Sequence, residues 1–269
     1  MLQDVTIDLH NPNNDAIDFL KSLQPKTGIY KNTYSYACYV ALYLFTLSYC
    51  RHKIVLDAAC GYGYGSRILS TAADFVAGID LDPERIKYAT EHYQIDNLKF
   101  LTMDVINTSF CRYAFDCVVS METFEHLPVK TSILFIEEIK RILKPGGLLI
   151  LSTPNKPIYS QITQTSDHVN ELTVEELYEL LSPRFAKCTF FYQRKQVLDT
   201  MKTFYSLVKI DKINLRLVIP QALRKFMSKY LAKDLSKDMD ALLPILKVHQ
   251  AHSLDDVKDA VTQIVVCKK

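Results

Sequence analysis

The chain has 269 residues, a formal charge of +2 and 48 % hydrophobic content, enough to bury a full core in one domain of ordinary-to-large size. A charge that close to neutral does not announce a nucleic acid or a membrane surface as partner. The seven cysteines show no CxxC or other metal-ligand spacing and read as small, mostly buried residues of a reducing compartment.

The amino-terminal stretch MLQDVTIDLHNPNND is polar and acidic, unlike a signal peptide. The first expected element is a helix over Tyr36–Cys50, too short for a membrane span and rich in tyrosine, packed on the domain that follows. Together these predict a cytoplasmic protein with no membrane span. From Lys53 onward apolar runs alternate with amphipathic segments, the pattern of a parallel sheet covered on both faces. Strands are expected at Ile54–Ala59, Phe75–Asp80, Leu98–Met103, Phe115–Met121 and Leu148–Ser152, with helices at Gly65–Ala73, Pro83–Tyr93 and Val129–Leu143. Pro83 after Asp82 opens the second helix, and Pro145 with two glycines in KPGG ends the third. Thr173 and Glu176 form a capping-box signature for a helix through Leu181. KCTFFYQRK and AVTQIVVCKK then read as two further strands, the last at Ala260–Lys269. These elements predict an α/β fold, a doubly wound, mostly parallel seven-stranded sheet. Residues 1–52 are assigned to a helical cap, 53–195 with 259–269 to the sheet domain, and 196–258 to a helical insertion before the last strand. Within that insertion Leu223–Asp238 is basic and amphipathic, a solvated face or a lid toward an anionic acceptor.

VLDAACGYGYGS, Val55–Ser66, carries the chemistry. In a doubly wound sheet, ligands sit beyond the carboxyl ends of the strands, where glycines let a ligand approach bare backbone. Asp80 ends the second strand about twenty residues on, the interval at which a carboxylate meets ribose hydroxyls. To that point a dinucleotide and another adenosine ligand fit equally. The loop reads GxGxG, not the GxGxxG of dinucleotide sites, and Asp57 precedes it on the strand. Negative charge there opposes a pyrophosphate and favours a cation. S-adenosylmethionine, an adenosine with a sulfonium and an ammonium and no phosphate, is the expected ligand.

VLDAACGYGYGS, GIDLDP, LKFLTMDV, FDCVVSMETFEHLP and RILKPGGLLILSTPNK resemble, in order, the motifs of class I S-adenosylmethionine-dependent methyltransferases. The resemblance implies that Asp57, Ala59, Gly61 and Gly63 line the methionine end of the cofactor. It implies that Asp80 takes the ribose with Leu81 beside it, and that Asp104 takes the adenine amino group with Val105 next to it. Met121 and Glu122 would border the cofactor. Tyr34, Tyr36, Tyr39 and Tyr43 recur near helical spacing ahead of the first strand and read as packing that helix on the domain, or with Tyr34 or Tyr36 closing over the cofactor. METFEHLP places Glu122, Glu125 and His126 on one face of a helical turn, and His168 follows with Glu171 three residues on. Two roles stay open for this cluster. His126 or His168 takes the acceptor's proton, or Glu122, Glu125, His126 and His168 hold Mg²⁺ or Mn²⁺. The second arrangement is similar to that of small-RNA 3′-end 2′-O-methyltransferases and ubiquinone-pathway O-methyltransferases. GYGS, STPNK, HVNELT and FFYQ resemble a bacterial subgroup associated with glycan and small-metabolite methylation. The expected reaction is O-methylation of a sugar or other small metabolite, free or carrier-linked. N-methylation and metal-dependent RNA 3′-end methylation are the alternatives, and weak charge without a basic–aromatic stripe disfavours nucleic acid.

Overall fold

The computed structural model describes residues 14–25, 33–162, 166–193 and 246–269. Leu223–Asp238, most of the 196–258 insertion and the acidic first residues lie outside these.

The elements run α1 (Asn14–Ser22), α2 (Thr33–Cys50), β1 (Ile54–Ala58), α3 (Tyr64–Leu69), β2 (Phe75–Asp80), α4 (Pro83–His92), β3 (Leu98–Thr102), β4 (Phe115–Met121), a 3-10 turn (Phe124–His126) and α5 (Val129–Ile142). They continue through β5 (Leu143–Pro154), α6 (Lys156–Ile162), α7 (Val174–Leu181), β6 (Lys187–Gln193), β7 (His249–Gln250), α8 (Asp255–Lys258) and β8 (Thr262–Lys268). One mixed sheet holds all the described strands in the order β3-β2-β1-β4-β5-β8-β6-β7. Strands β1 to β5 pair parallel with one another, and β8 lies antiparallel between β5 and β6. The α/β doubly wound architecture is as expected, with one strand more than the seven counted. The extra strand is β7, two residues paired to the edge of β6, too short for any period-two pattern to announce it.

Strand alternation builds two hydrophobic layers. Val55 of β1 and Ile264 and Val266 of β8 face a layer with α2 and α3. Leu56, Ala58, Val265 and Cys267 face a second layer with α5 and α7. Helix α2 is apolar all round and accordingly buried over most of its length. Helix α4 is capped by Asp82, whose carboxylate accepts from Glu84 and Arg85 N–H, with Pro83 in the first turn. The Thr173–Glu176 capping box of α7 is complete. Strand β5 begins earlier than expected, at Leu143, because KPGG stays in the sheet. Leu143 pairs with Phe115, the register shifts once, Gly146 takes φ +75, and Lys144 reaches Asp116 at 2.7 Å.

Candidate active site

The strand order reverses between β1 and its neighbours β2 and β4, so a crevice opens beyond the carboxyl ends of β1 and β4. Two non-glycine residues there are left-handed, Ala59 at φ 63 and Glu122 at φ 49, one just past each strand. Such backbone costs about 1–3 kcal/mol and concentrates at functional sites.

The three glycines of the loop do different jobs. Gly61 has φ +56, and a Cβ built on it would meet nothing within 4 Å. Its backbone therefore borders open space, the cradle a ligand needs. Gly63, at φ +79, caps α3, and a Cβ would come within 2.7 Å of Ala89 and the Phe100 ring. A methyl on Gly65 would lie inside the Tyr43 ring. Gly63 was expected to line the ligand. Its missing side chain lets the loop sit tightly on α4 and β3.

Asp80, 6 % exposed, accepts from Gly61 N–H at 2.8 Å and from Asp82 N–H at 3.0 Å, one on each carboxylate oxygen. Each oxygen keeps a lone pair for another donor. Cys60 N–H to Ile79 C=O, 2.8 Å, ties the same loop to β2. Leu81 is 68 % exposed beside it. Asp104 follows β3 with one oxygen accepting Ile106 N–H at 3.1 Å, and Val105 is buried next to it. Met121 is buried at the end of β4.

Two expected ligand-lining residues lie behind the loop. Asp57 has no accessible surface; its carboxylate accepts from Ser66 Oγ at 2.6 Å and Tyr43 OH at 3.1 Å. Burial lifts its pKa to about 7 against the opposing pull of those two hydrogen bonds. At neutrality it carries only part of a charge, so the full fixed charge assumed from the sequence is corrected to a partial one acting at second hand. Tyr36 also has no accessible surface; its hydroxyl donates to Leu20 C=O at 2.9 Å and its ring meets Tyr64 edge-on. Of the two roles open to Tyr36, packing of α2 on the domain is the one it takes.

Glu125, His126 and His168 converge, with one ligand-type atom of each within 4.8 Å of the others. Glu122 stands apart. Its left-handed backbone turns it from the 3-10 turn, and its carboxylate accepts from Ser152 Oγ at 2.8 Å. Glu125 is buried, accepts from Thr153 Oγ1 at 3.0 Å, and its backbone carbonyl accepts from Val169 and Asn170 N–H. Burial, then the Glu122 charge, pushes its carboxyl well above the carboxylate range. One carboxyl with two imidazoles does not fit Mg²⁺, which demands near-octahedral oxygen ligands. His126 Nδ1 donates to Asp167 C=O at 3.0 Å. His168 Nδ1 donates to Glu171 Oε1 at 2.9 Å, which leaves Nε2 with a lone pair. Tyr159 stacks on the His168 ring at 5.0 Å, and His126 meets it edge-on at 4.9 Å. Tyr159 and Thr153 carried no signal in the sequence, because only the packing of α6 and β5 brings them to His168 and Glu125.

This sheet order and crevice are those of the Rossmann-like methyltransferase fold. Solved structures show the same architecture. One is a methyltransferase of Thermotoga maritima, described as a possible histamine N-methyltransferase, at TM-score 0.56, 13 % identity and coverage of 86 % of this chain and 89 % of that one. Another is an S-adenosylmethionine-dependent methyltransferase of Archaeoglobus fulgidus, at 0.55, 14 %, 90 % and 97 %. Residues 56–151, from β1 through most of β5, match the family described as a methyltransferase domain. A probable S-adenosylmethionine-dependent methyltransferase of Mycolicibacterium smegmatis is 30 % identical over 162 residues, 57 % of this chain and 60 % of that protein. The 2-methyl-6-phytyl-1,4-hydroquinone methyltransferase of Synechocystis sp. is 34 % identical over 142 residues, 47 % and 44 %. A ubiquinone biosynthesis O-methyltransferase of Haemophilus ducreyi is 36 % identical over 115 residues, 39 % and 47 %. The chain thus spans about half the length of the curated relatives it matches.

Proposed function

We propose that the chain transfers a methyl group from S-adenosylmethionine to a hydroxyl of a small-molecule acceptor, a sugar or another metabolite. The observation that carries the cofactor reading is the Gly61–Asp80 pair. Open space beside a left-handed glycine adjoins a carboxylate that still has lone pairs for ribose hydroxyls. Leu81 offers an apolar surface for the purine, and Asp104 an acceptor for its amino group. The cofactor, when bound, supplies a methyl on a sulfonium, a leaving group that needs no acid. The protein's task is then to align the acceptor and remove one proton. His168, held by Glu171 and stacked on Tyr159, presents Nε2 for that proton. Relatives whose names include O-methyltransferase support a hydroxyl acceptor. The resemblance to the glycan-associated subgroup supports a sugar.

Calorimetry with S-adenosylhomocysteine tests the cofactor reading. Wild-type protein should bind it, and Asp80→Ala should weaken binding by about tenfold to a hundredfold, the value of hydrogen bonds to a charged group. Equal affinities would remove Asp80 from the site. With labelled S-adenosylmethionine and a panel of phenols and sugars, His168→Ala should lose transfer while keeping cofactor affinity. Equal losses in both would take His168 out of the acceptor site.

A further inference from the structure

We propose that Cys188 and Cys267 form a reactive dithiol, which a peroxide converts to an intrachain disulfide joining β6 to β8. The two residues are direct cross-strand partners in the antiparallel β6–β8 ladder, and their sulfurs lie 3.2 Å apart. Cα atoms of antiparallel partners stand about 4.5–5.5 Å apart, inside the range a disulfide spans without backbone movement. Cys188 is half-buried and reachable, whereas Cys267 has no accessible surface.

The two thiols are differentiated as a reactive pair must be. The contact with Cys267 lowers the pKa of the Cys188 thiol, while the same contact and burial raise that of Cys267. The reachable sulfur is therefore the nucleophile and the hidden one the resolving partner. A second close pair, Cys50 and Cys117 at 4.0 Å, lacks this arrangement because both are fully buried and no oxidant reaches either.

With hydrogen peroxide, the Cys188 thiolate attacks one oxygen and the O–O bond breaks. This leaves a sulfenic acid on Cys188 and releases hydroxide, which takes the Cys188 proton to become water. Cys267 sulfur then attacks the sulfenic sulfur. The S–O bond breaks, the S–S bond forms, and the hydroxyl leaves with the Cys267 proton as a second water. Two thiols lose two electrons and one peroxide gains them. The closed loop spans 79 residues of chain, so the bond constrains the unfolded state strongly.

The test is stoichiometric hydrogen peroxide on the native full chain in a Cys111→Ser background, which removes the exposed thiol. The intact mass should fall by two hydrogens, non-reduced peptide maps should link the Cys188 and Cys267 peptides, and the thermal midpoint should rise by several degrees until a dithiol reductant reverses it. Cys267→Ser should stop the reaction at a Cys188 sulfenic acid that dimedone traps. Both thiols remaining open to alkylation, a link between other cysteines, or Cys188 passing to sulfinic acid with no linked peptide would each overturn the proposal.

Discussion

Asp57 shows how one side chain can be chosen for a reason that its neighbours then modify. A carboxylate without accessible surface, bonded to Ser66 and Tyr43, with pKa near 7, takes up a proton more readily in the folded chain than in the unfolded one. Its contribution to stability is therefore complete below about pH 4 and is lost as the pH rises through 7. Asp57→Asn keeps an acceptor for Ser66 and cannot ionise. Urea unfolding at pH 5 and pH 8 should show the wild type losing stability relative to this variant over that interval. The loss between those two pH values should be on the order of 2.5 kcal/mol for a carboxyl moved from 3.8 to about 7, the rest falling below pH 5. Glu125, also raised, is present in both proteins and cancels from the comparison. Parallel pH profiles would mean that Asp57 stays ionised and that the loop rests on a full negative charge after all.

At the scale of elements, the β1–α3 turn is held from two sides, and its glycines separate these two roles. Gly65 packs on Tyr43 of α2, so a methyl there collides with a ring in the middle of a buried layer. Gly61 faces open space, so a methyl there meets no atom and only has to tolerate a left-handed φ. Gly65→Ala is expected to lower the thermal midpoint through overpacking worth about 1–3 kcal/mol. Gly61→Ala should lose about 1–2 kcal/mol through its backbone and also weaken S-adenosylhomocysteine, because the new methyl enters the ligand's space. Paired thermal melts and titrations separate the two. Identical binding in Gly61→Ala and the wild type would place the cofactor elsewhere. Local chemistry was readable throughout this region: the Asp82–Pro83 opening of α4 and the Thr173–Glu176 box of α7 both form as their residues dictate. The earlier start of β5 was not readable, since Pro145 and two glycines signal a reversal wherever they occur, and only pairing of Leu143 with Phe115 keeps KPGG in the sheet.

For the whole molecule, the described residues include no helix long and apolar enough to cross a membrane, and the strand order sets one crevice at the switch between β1 and β4. A ligand that binds only the folded chain raises stability by RT ln(1 + [L]/Kd), about 2.7 kcal/mol at a hundredfold excess over Kd. S-adenosylhomocysteine should therefore raise the thermal midpoint of the full chain in a concentration-dependent way, and NADH at the same concentrations should not. Stabilisation by NADH alone would reassign the crevice to a phosphate-bearing dinucleotide.

What the amino-acid sequence determined by itself was local and periodic. Alternating apolar runs, caps and a glycine loop depend on neighbours a few residues apart, and these led to the doubly wound sheet. The tertiary structure decided which groups of the loop border open space and which are buried. Gly63 and Tyr36 were drawn into packing by α4, β3 and Tyr64, and Asp57 lost its solvent to α2 and Ser66. It also divided the carboxylate–histidine cluster, because a left-handed Glu122 turns toward Ser152 while Thr153 and Tyr159 come to the side of Glu125 and His168. Burial and long-range contact set those outcomes, and neither is a property of any short stretch of chain.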